Sequence, residues 1–473
     1  MLVRVVTKQN RLRKNWVLVI GLVIYALGFF VFYPRIPAIV DENAYLTQSL
    51  LFKSGKLSYD DSTIPVPILS FDQRAHGGHI VNKYPPGNAL LILPFLFIHW
   101  RAVFLLGLLC AIVGTVIFAR LMQRVIPDAF TGWALLLLYY PPVLVYSRTV
   151  MSDLPATVAV LAAFYLLFFH RSSGLFLAGM IFGLGCLIRY TNIILLLPFI
   201  IILWLNRQNW KSLVVFGGGV IPWLLIILIY NRYGFGSFWK VPMWQNDYFS
   251  LRFIPGHLIY YLLPLLVWYP LLIVGPFFAP RNWRVKLLLP FVVLLLFFSA
   301  FSYTPAVQRI SEQMVVGLRY LMPVLPLLIL GYAIGWERVR RAAAMIPNWF
   351  FTVGILSLCF IGTLIQWRHH RYLLVQEYCA RQLLVVIPEQ SMVFGNKDVI
   401  ELFNIAWGWR NWLPYDSLNP GRLPPELPAY LAVIKRGSEQ EPGVDTTMLK
   451  DFPGHRPVFH IDKPCHILVW QLR

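Results

Sequence analysis

The sequence predicts an all-α polytopic membrane protein of about eleven transmembrane helices, with interfacial helices in its first outer loop and a small C-terminal extracytoplasmic α/β domain. Three observations carry this. Of 473 residues, 58% are apolar and 13% charged, about half the charged share that covers a soluble domain. Apolar stretches of about 20 residues, the length that crosses a bilayer, recur as far as residue 367. The residues from 368 onward break that pattern, with twelve basic and eleven acidic side chains and short β-like runs.

The spans fall at about 16–34, 102–120, 131–149, 154–170, 174–190, 191–206, 212–230, 258–279, 285–303, 320–335 and 348–367. The net charge of +20 marks their orientation. With the N-terminus cytoplasmic, the inner segments hold sixteen basic residues, from Arg4 and Lys8 to Arg340 and Arg341, against Asp128 and Glu337 alone. The first outer loop, 35–87, holds five of each sign. That is the positive-inside asymmetry beside anionic lipid, so no nucleic-acid partner is expected. Residues 16–33 are too long and too poor in small residues at their end for a cleaved signal, and read as an anchor. An odd number of spans places the C-terminus outside.

Residues 88–99 are apolar but too short to cross, and read as an interfacial or re-entrant helix. Ahead of them, DENAYLTQSLLFK has apolar positions at Tyr45, Leu46, Leu50 and Leu51, the spacing of an amphipathic helix headed by Asp41 and Glu42. The expected domains are a transmembrane part, 1–367, whose first outer loop with its interfacial helices spans 35–100, and a soluble α/β part, 368–473. Five cysteines exclude a disulfide scaffold. Cys379 and Cys465 share the tail and could pair in an oxidising compartment, whereas Cys110, Cys186 and Cys359 lie in spans as packing residues.

Ionisable groups at a membrane edge are costly to keep, which makes them candidates for function. Asp41 and Glu42 follow the first span, Arg148 ends the third, Asp153 begins the fourth, Arg189 ends the fifth and Arg319 precedes the tenth. These residues could converge on one outward-facing cavity, or each could cap a helix or reach toward headgroups. In Lys83-Tyr84-Pro85-Pro86-Gly87 two prolines stiffen the chain, so that the Lys83 ammonium is held where the loop re-enters the membrane, a placement suited to a phosphate. The aromatic loop 238–253 reads either as an interfacial belt or as a surface that stacks on a sugar. His76 and His79 flank Gly77-Gly78 with no third ligand at metal spacing, and read as a polar turn.

Asp41-Glu42, an interfacial helix ending near Gly55, KYPPG at 83–87, Ser147-Arg148 with Asp153, LIRYTN at 187–192 and RYLMPVLP at 319–326 occur in an order that resembles the GT-C polytopic glycosyltransferases. Within that class the chain is most similar to the protein O-mannosyltransferase and lipid A aminoarabinose transferase group, over residues 1 to about 330. The resemblance implies transfer, with inversion, of a sugar from a polyprenyl-phosphate donor to an acceptor glycan, lipid or protein outside the cytoplasm, in the cell membrane. It implies that Lys83 contacts the donor phosphate, with Arg189, Arg252 and Arg319 as further candidates. It also implies that Asp41 is the base, with Glu42 and Asp153 orienting the acceptor or sharing that task. Tyr45, Tyr84 and Arg148 are further candidates to line the substrate site. No cofactor is expected; Asp41, Glu42 and Asp153 have the chemistry to hold a divalent ion, but no Asp-x-Asp stands in the first loop and this branch is not expected to need one. A transporter or flippase of lipid-linked glycan is the competing reading, against which stands the lack of internal repeats and of mid-membrane charges.

Overall fold

A computed structural model of the protein describes residues 2–60, 73–168, 172–206, 209–241, 249–301, 313–342, 347–395, 399, 411–414, 427–435, 449, 452, 455–461 and 466–472. Its helices, in chain order, are α1 (Leu2–Val31), α2 (Val40–Lys53), α3 (Gly87–Leu96), α4 (Leu105–Val125), α5 (Leu135–Leu138), α6 (Pro141–Tyr146), α7 (Asp153–Leu166), α8 (Ser172–Ile188), α9 (Leu196–Leu205), α10 (Trp210–Phe235), α11 (Ile254–Trp268), α12 (Arg281–Ser299), α13 (Leu325–Ala342) and α14 (Asn348–Val386). Among the described residues five helices are long and apolar enough to cross a membrane, or six when the bent pair ending in α13 is taken as one. Of the other expected spans, those at 16–34, 154–170 and 174–190 fall on single but shorter apolar helices, and the rest are broken.

The breaks have local causes. The stretch read as a span over 131–149 is a 3-10 turn at Thr131–Ala134, the short α5, and α6, which begins at Pro141-Pro142 after an extended Tyr140. Proline removes a backbone donor and pushes its predecessor out of helical geometry. The non-helical backbone is tolerated because nearly every side chain from Thr131 to Tyr146 is buried among protein. Met314–Tyr320 and α13 meet at an angle of 110° across a break that contains Pro323, so the span read at 320–335 is the second limb of a bent element. The single helix expected over 258–279 likewise gives way after Trp268 to a 3-10 segment, Leu272–Phe278.

The chain forms two units. The first comprises Met1–Tyr33, Phe104–Ile229 and Met243–Arg368. Within it α7 packs on α4 and α8, α11 on α12, and α13 on Leu272–Phe278. Helices α8 and α10 touch backbone to backbone: a Cβ on Gly219 would lie 2.7 Å from the Met180 nitrogen. Small residues allow such approach where no hydrophobic force acts between helices in lipid.

The second unit comprises Pro34–Val103, Tyr230–Pro242 and His369–Arg473. It thus gathers the first outer loop with the tail, a grouping that a cut of the chain at 367 does not contain. The loop carries α2, α3 and a sheet of β1 (Tyr59–Asp60), β2 (Gln73–His76) and β3 (His79–Asn82) in the order β1-β3-β2. Gly77 and Gly78, both at positive φ, make the β2–β3 turn between His76 and His79, as hairpin twist requires.

The tail sheet runs β5-β4-β6-β8-β7, from β4 (Met392–Gly395), β5 (Asn411–Pro414), β6 (Ala429–Lys435), β7 (Arg456–Ile461) and β8 (His466–Gln471). Strand β4 pairs parallel with β5 and β6, and β8 pairs antiparallel with β6 and β7. Alternation of side chains gives the sheet two apolar faces. One packs Val393, Tyr430, Ala432, Ile467 and Val469 with Leu373, Ala380 and Leu383 of α14 and with Ile36 and Ala38 of the first loop. The other gathers Met392, Phe394, Leu431, Val433, Leu449 and Phe452. Cys379, on the buried side of α14, is disulfide-bonded, while Cys110, Cys186 and Cys359 are free thiols; Cys465 lies outside the described residues.

Candidate functional site

The second unit holds the first group of candidate residues. Helix α2 opens with Asp41 and Glu42 in its first turn, where exposed backbone N–H groups and the helix dipole favour carboxylates. The two acids are not equivalent. Glu42 is buried and accepts from the Ala38 backbone N–H at 2.9 Å, reaching back over the helix start as a cap does. Asp41, one position earlier, is half-buried and keeps access to solvent.

One turn after Asp41 on the same helix, Tyr45 packs at a tilt against Tyr84, the neighbour of Lys83, with ring centres 4.8 Å apart. The Lys83 ammonium lies 5.0 Å from the centre of the Tyr84 ring and is half-buried, followed by the buried Pro85 and Pro86 that lead into α3. Sequence reasoning missed the polar frame that joins these elements. Asn82 donates to the Ala44 carbonyl at 2.6 Å and accepts from the Tyr84 N–H at 3.0 Å. Gln48 donates to the Tyr230 hydroxyl at 2.9 Å, which in turn donates to the Asn82 carbonyl at 3.1 Å. Ser49 donates to the Ala89 carbonyl at 2.9 Å. The Asn82–Tyr84 bond is an Asx turn, and an asparagine two residues ahead of Tyr-Pro-Pro is the signal that could have found it.

The first unit holds the second group. Asp153 heads α7 with its side chain fully buried and pairs through Oδ1 with Arg189 Nη1. Its Oδ2 has no hydrogen-bond partner among the described residues. Arg189 follows α8 in extended geometry; its guanidinium also reaches the Thr191 hydroxyl at 3.3 Å and lies 5.7 Å from the Tyr320 ring. Arg319 lies against the same ring at 5.0 Å and donates to the Tyr320 hydroxyl at 3.3 Å. Tyr146 sits within electrostatic reach of Arg319, Asp153 and Arg189. Tyr320 and Tyr146 are the residues missed here, and Tyr320 could have been found as the partner of Arg319 at the proline break. The group is two guanidiniums and one carboxylate round tyrosines, an arrangement suited to holding a phosphate while one cation stays neutralised.

Two further candidates belong to the first unit. Arg148 is buried beneath Phe29 and donates to the Phe32 carbonyl, which satisfies the C-terminal end of α1. Arg252 is exposed, lies 5.0 Å from the Phe253 ring, and donates its backbone N–H to the Ser250 hydroxyl. Most of the aromatic loop before it, 242–248, lies outside the described residues. Among the described residues no three His, Cys, Asp or Glu side chains are grouped as a metal site would need.

This is an ArnT-like polytopic fold. Residues 84–230 match the family described as dolichyl-phosphate-mannose-protein mannosyltransferase. Two solved structures of ArnT from Cupriavidus metallidurans match nearly the whole chain. The one bound to undecaprenyl phosphate covers 97% of this chain and 98% of its own, at 14% identity and a TM-score of 0.64. The apo structure covers 96% and 98%, at 14% identity and a TM-score of 0.61. No curated protein sequence matches the chain.

Proposed function

We propose that the protein is a membrane glycosyltransferase that moves a sugar from a polyprenyl-phosphate donor to an extracytoplasmic acceptor, with inversion. The observation that carries this reading is the frame that ties the Asp41 helix to the Lys83-Tyr84-Pro85-Pro86 turn, because transfer needs a carboxylate and a phosphate-binding cation on rigid, joined elements. The ArnT-like fold, in a structure bound to undecaprenyl phosphate, and the match to a dolichyl-phosphate-mannose family support a carrier of this class.

In the proposed reaction an acceptor hydroxyl oxygen attacks the anomeric carbon while the bond from that carbon to the carrier's phosphate oxygen breaks. The acceptor proton passes to Asp41, and polyprenyl phosphate leaves with the extra negative charge. Lys83 stabilises that charge. A phosphate leaving group so neutralised needs no separate acid. Glu42 serves chiefly to hold the start of α2, and Asp153 to fix Arg189. The proposed topology has the N-terminus in the cytoplasm of a cell membrane, residues 1–367 as the transmembrane catalytic part, and 368–473 outside.

The test is Asp41→Asn in the native cell, followed by mass spectrometry of lipid-linked sugars and glycans. A transferase lacking its base leaves the acceptor unmodified while donor collects on the outer leaflet, with protein abundance unchanged. Donor trapped on the inner leaflet identifies a flippase and overturns the reading, as does an acceptor modified normally.

A further inference from the structure

A second charged cluster lies in the second unit, built from residues that the proposed transfer does not use. Glu377, on the part of α14 beyond its apolar half, has a side chain only 6% exposed. Three guanidiniums from three segments converge on it. Arg35 approaches Oε2 at 3.4 Å, Arg101 approaches Oε1 at 3.2 Å, and Arg381, one turn along α14, approaches Oε1 at 2.9 Å. Arg35 and Arg381 share this one buried carboxylate. Arg35 and Arg381 remain 50% and 60% exposed, so their outer N–H edges face away from Glu377 toward the surroundings. Like charges held this close repel unless an anion joins them, and the five-donor fork of arginine fits phosphate oxygens in pairs.

The surroundings of the cluster are apolar. Phe97 and Ile98, just ahead of Arg101, are 68% and 76% exposed. Tyr378 and Val385, three residues before and four after Arg381, are exposed on the same face of α14. Lys53 adds a further cation beside Phe97, at 5.5 Å from its ring, while donating to the Leu96 carbonyl at the end of α3. Apolar side chains open to the outside next to half-exposed guanidiniums that share one carboxylate are what a lipid meets, with its acyl chains on the apolar groups and its phosphate on the guanidiniums.

We propose that Arg35, Arg101 and Arg381, gathered round Glu377, form a binding site for the phosphate of an anionic lipid, separate from the donor-phosphate residues of the proposed reaction. The site stands whether or not the chain proves to be a transferase, because none of its residues belongs to that reading.

The full chain in a neutral maltoside detergent tests it through thermal unfolding, since a ligand that binds the folded state raises the midpoint saturably. Dihexanoyl phosphatidic acid should raise the midpoint and dihexanoyl phosphatidylcholine at equal concentration should not. The double variant Arg35→Gln/Arg381→Gln should weaken the apparent affinity for phosphatidic acid at least tenfold, and Lys83→Ala should leave it unchanged. Should the double variant fail to fold, Arg381→Gln alone should weaken it at least threefold. Binding that survives these arginine substitutions, or that Lys83→Ala abolishes, overturns the site. Inorganic phosphate stabilising as well as phosphatidic acid does overturns the lipid as ligand and leaves a soluble phosphate in its place.

Discussion

At the scale of single residues, the structure separates side chains that the sequence presents as equals. Asp41 and Glu42 are adjacent acids in one first turn, yet Glu42 is buried with an oxygen on the Ala38 N–H while Asp41 keeps access to solvent. Glu42→Gln should therefore lower stability by about 1 kcal/mol, the worth of a helix-start bond, read as a fall in the thermal midpoint. Asp41→Asn should leave that midpoint unchanged and lower turnover about 10²- to 10⁴-fold, the usual yield of a general base. Lys83 and Arg189 divide in the same way. Lys83→Ala removes a half-buried ammonium and should cost activity alone. Arg189→Ala strands the fully buried carboxylate of Asp153 and should cost about 3–5 kcal/mol, seen as lost folded protein in membranes before any assay of transfer. Both Asp153 and Arg189 were legible as charges at span ends. Their pairing was not, because they stand 36 positions apart, across a helical hairpin.

At the scale of elements, rigidity comes from polar bonds where apolar periodicity gives no signal. Asn82 holds both Ala44 of α2 and Tyr84 of the proline turn, so Asn82→Ala should loosen α2 from Lys83 at a cost of about 1–3 kcal/mol, with activity falling further than abundance. Asn82→Asp, which keeps the acceptor but loses the donor to Ala44, should fall between. In the first unit, Gly219→Val would drive a branched side chain into the α8 backbone and should lose folded protein outright. Helix α2, the short α3 and the tail strands β4, β6 and β8 were readable from composition and spacing, because each answers to a local period, whereas β5 and β7 were not read. The broken stretch over 131–146 and the bend before α13 were not, although Pro141-Pro142 and Pro323 stood in view. A proline in an apolar run permits either a kinked span or a broken one, and burial of the freed backbone groups decides between them.

At the scale of the whole molecule, the count of crossings is the point most open to measurement. A 39-residue α14 is about 58 Å long, nearly twice the thickness of a hydrocarbon core, so a large part of it stands outside lipid. Reporters joined at the N-terminus and after Arg473 should report cytoplasmic and extracytoplasmic positions respectively; both ends on one side would require an even number of crossings and overturn the proposed topology. By itself the sequence determined that the protein lives in a bilayer and which fold class it shares. Those properties follow from local hydropathy and charge, which a chain carries with it before folding. Only the tertiary structure decided that the first outer loop and the tail share one apolar core through Ile36, Ala38 and α14, that Asp153 belongs to Arg189, and that Glu377 collects three arginines. Those depend on contacts between separate segments, 36 positions apart for Asp153 and Arg189 and 342 for Arg35 and Glu377, set by which surfaces complement each other once the helices are packed.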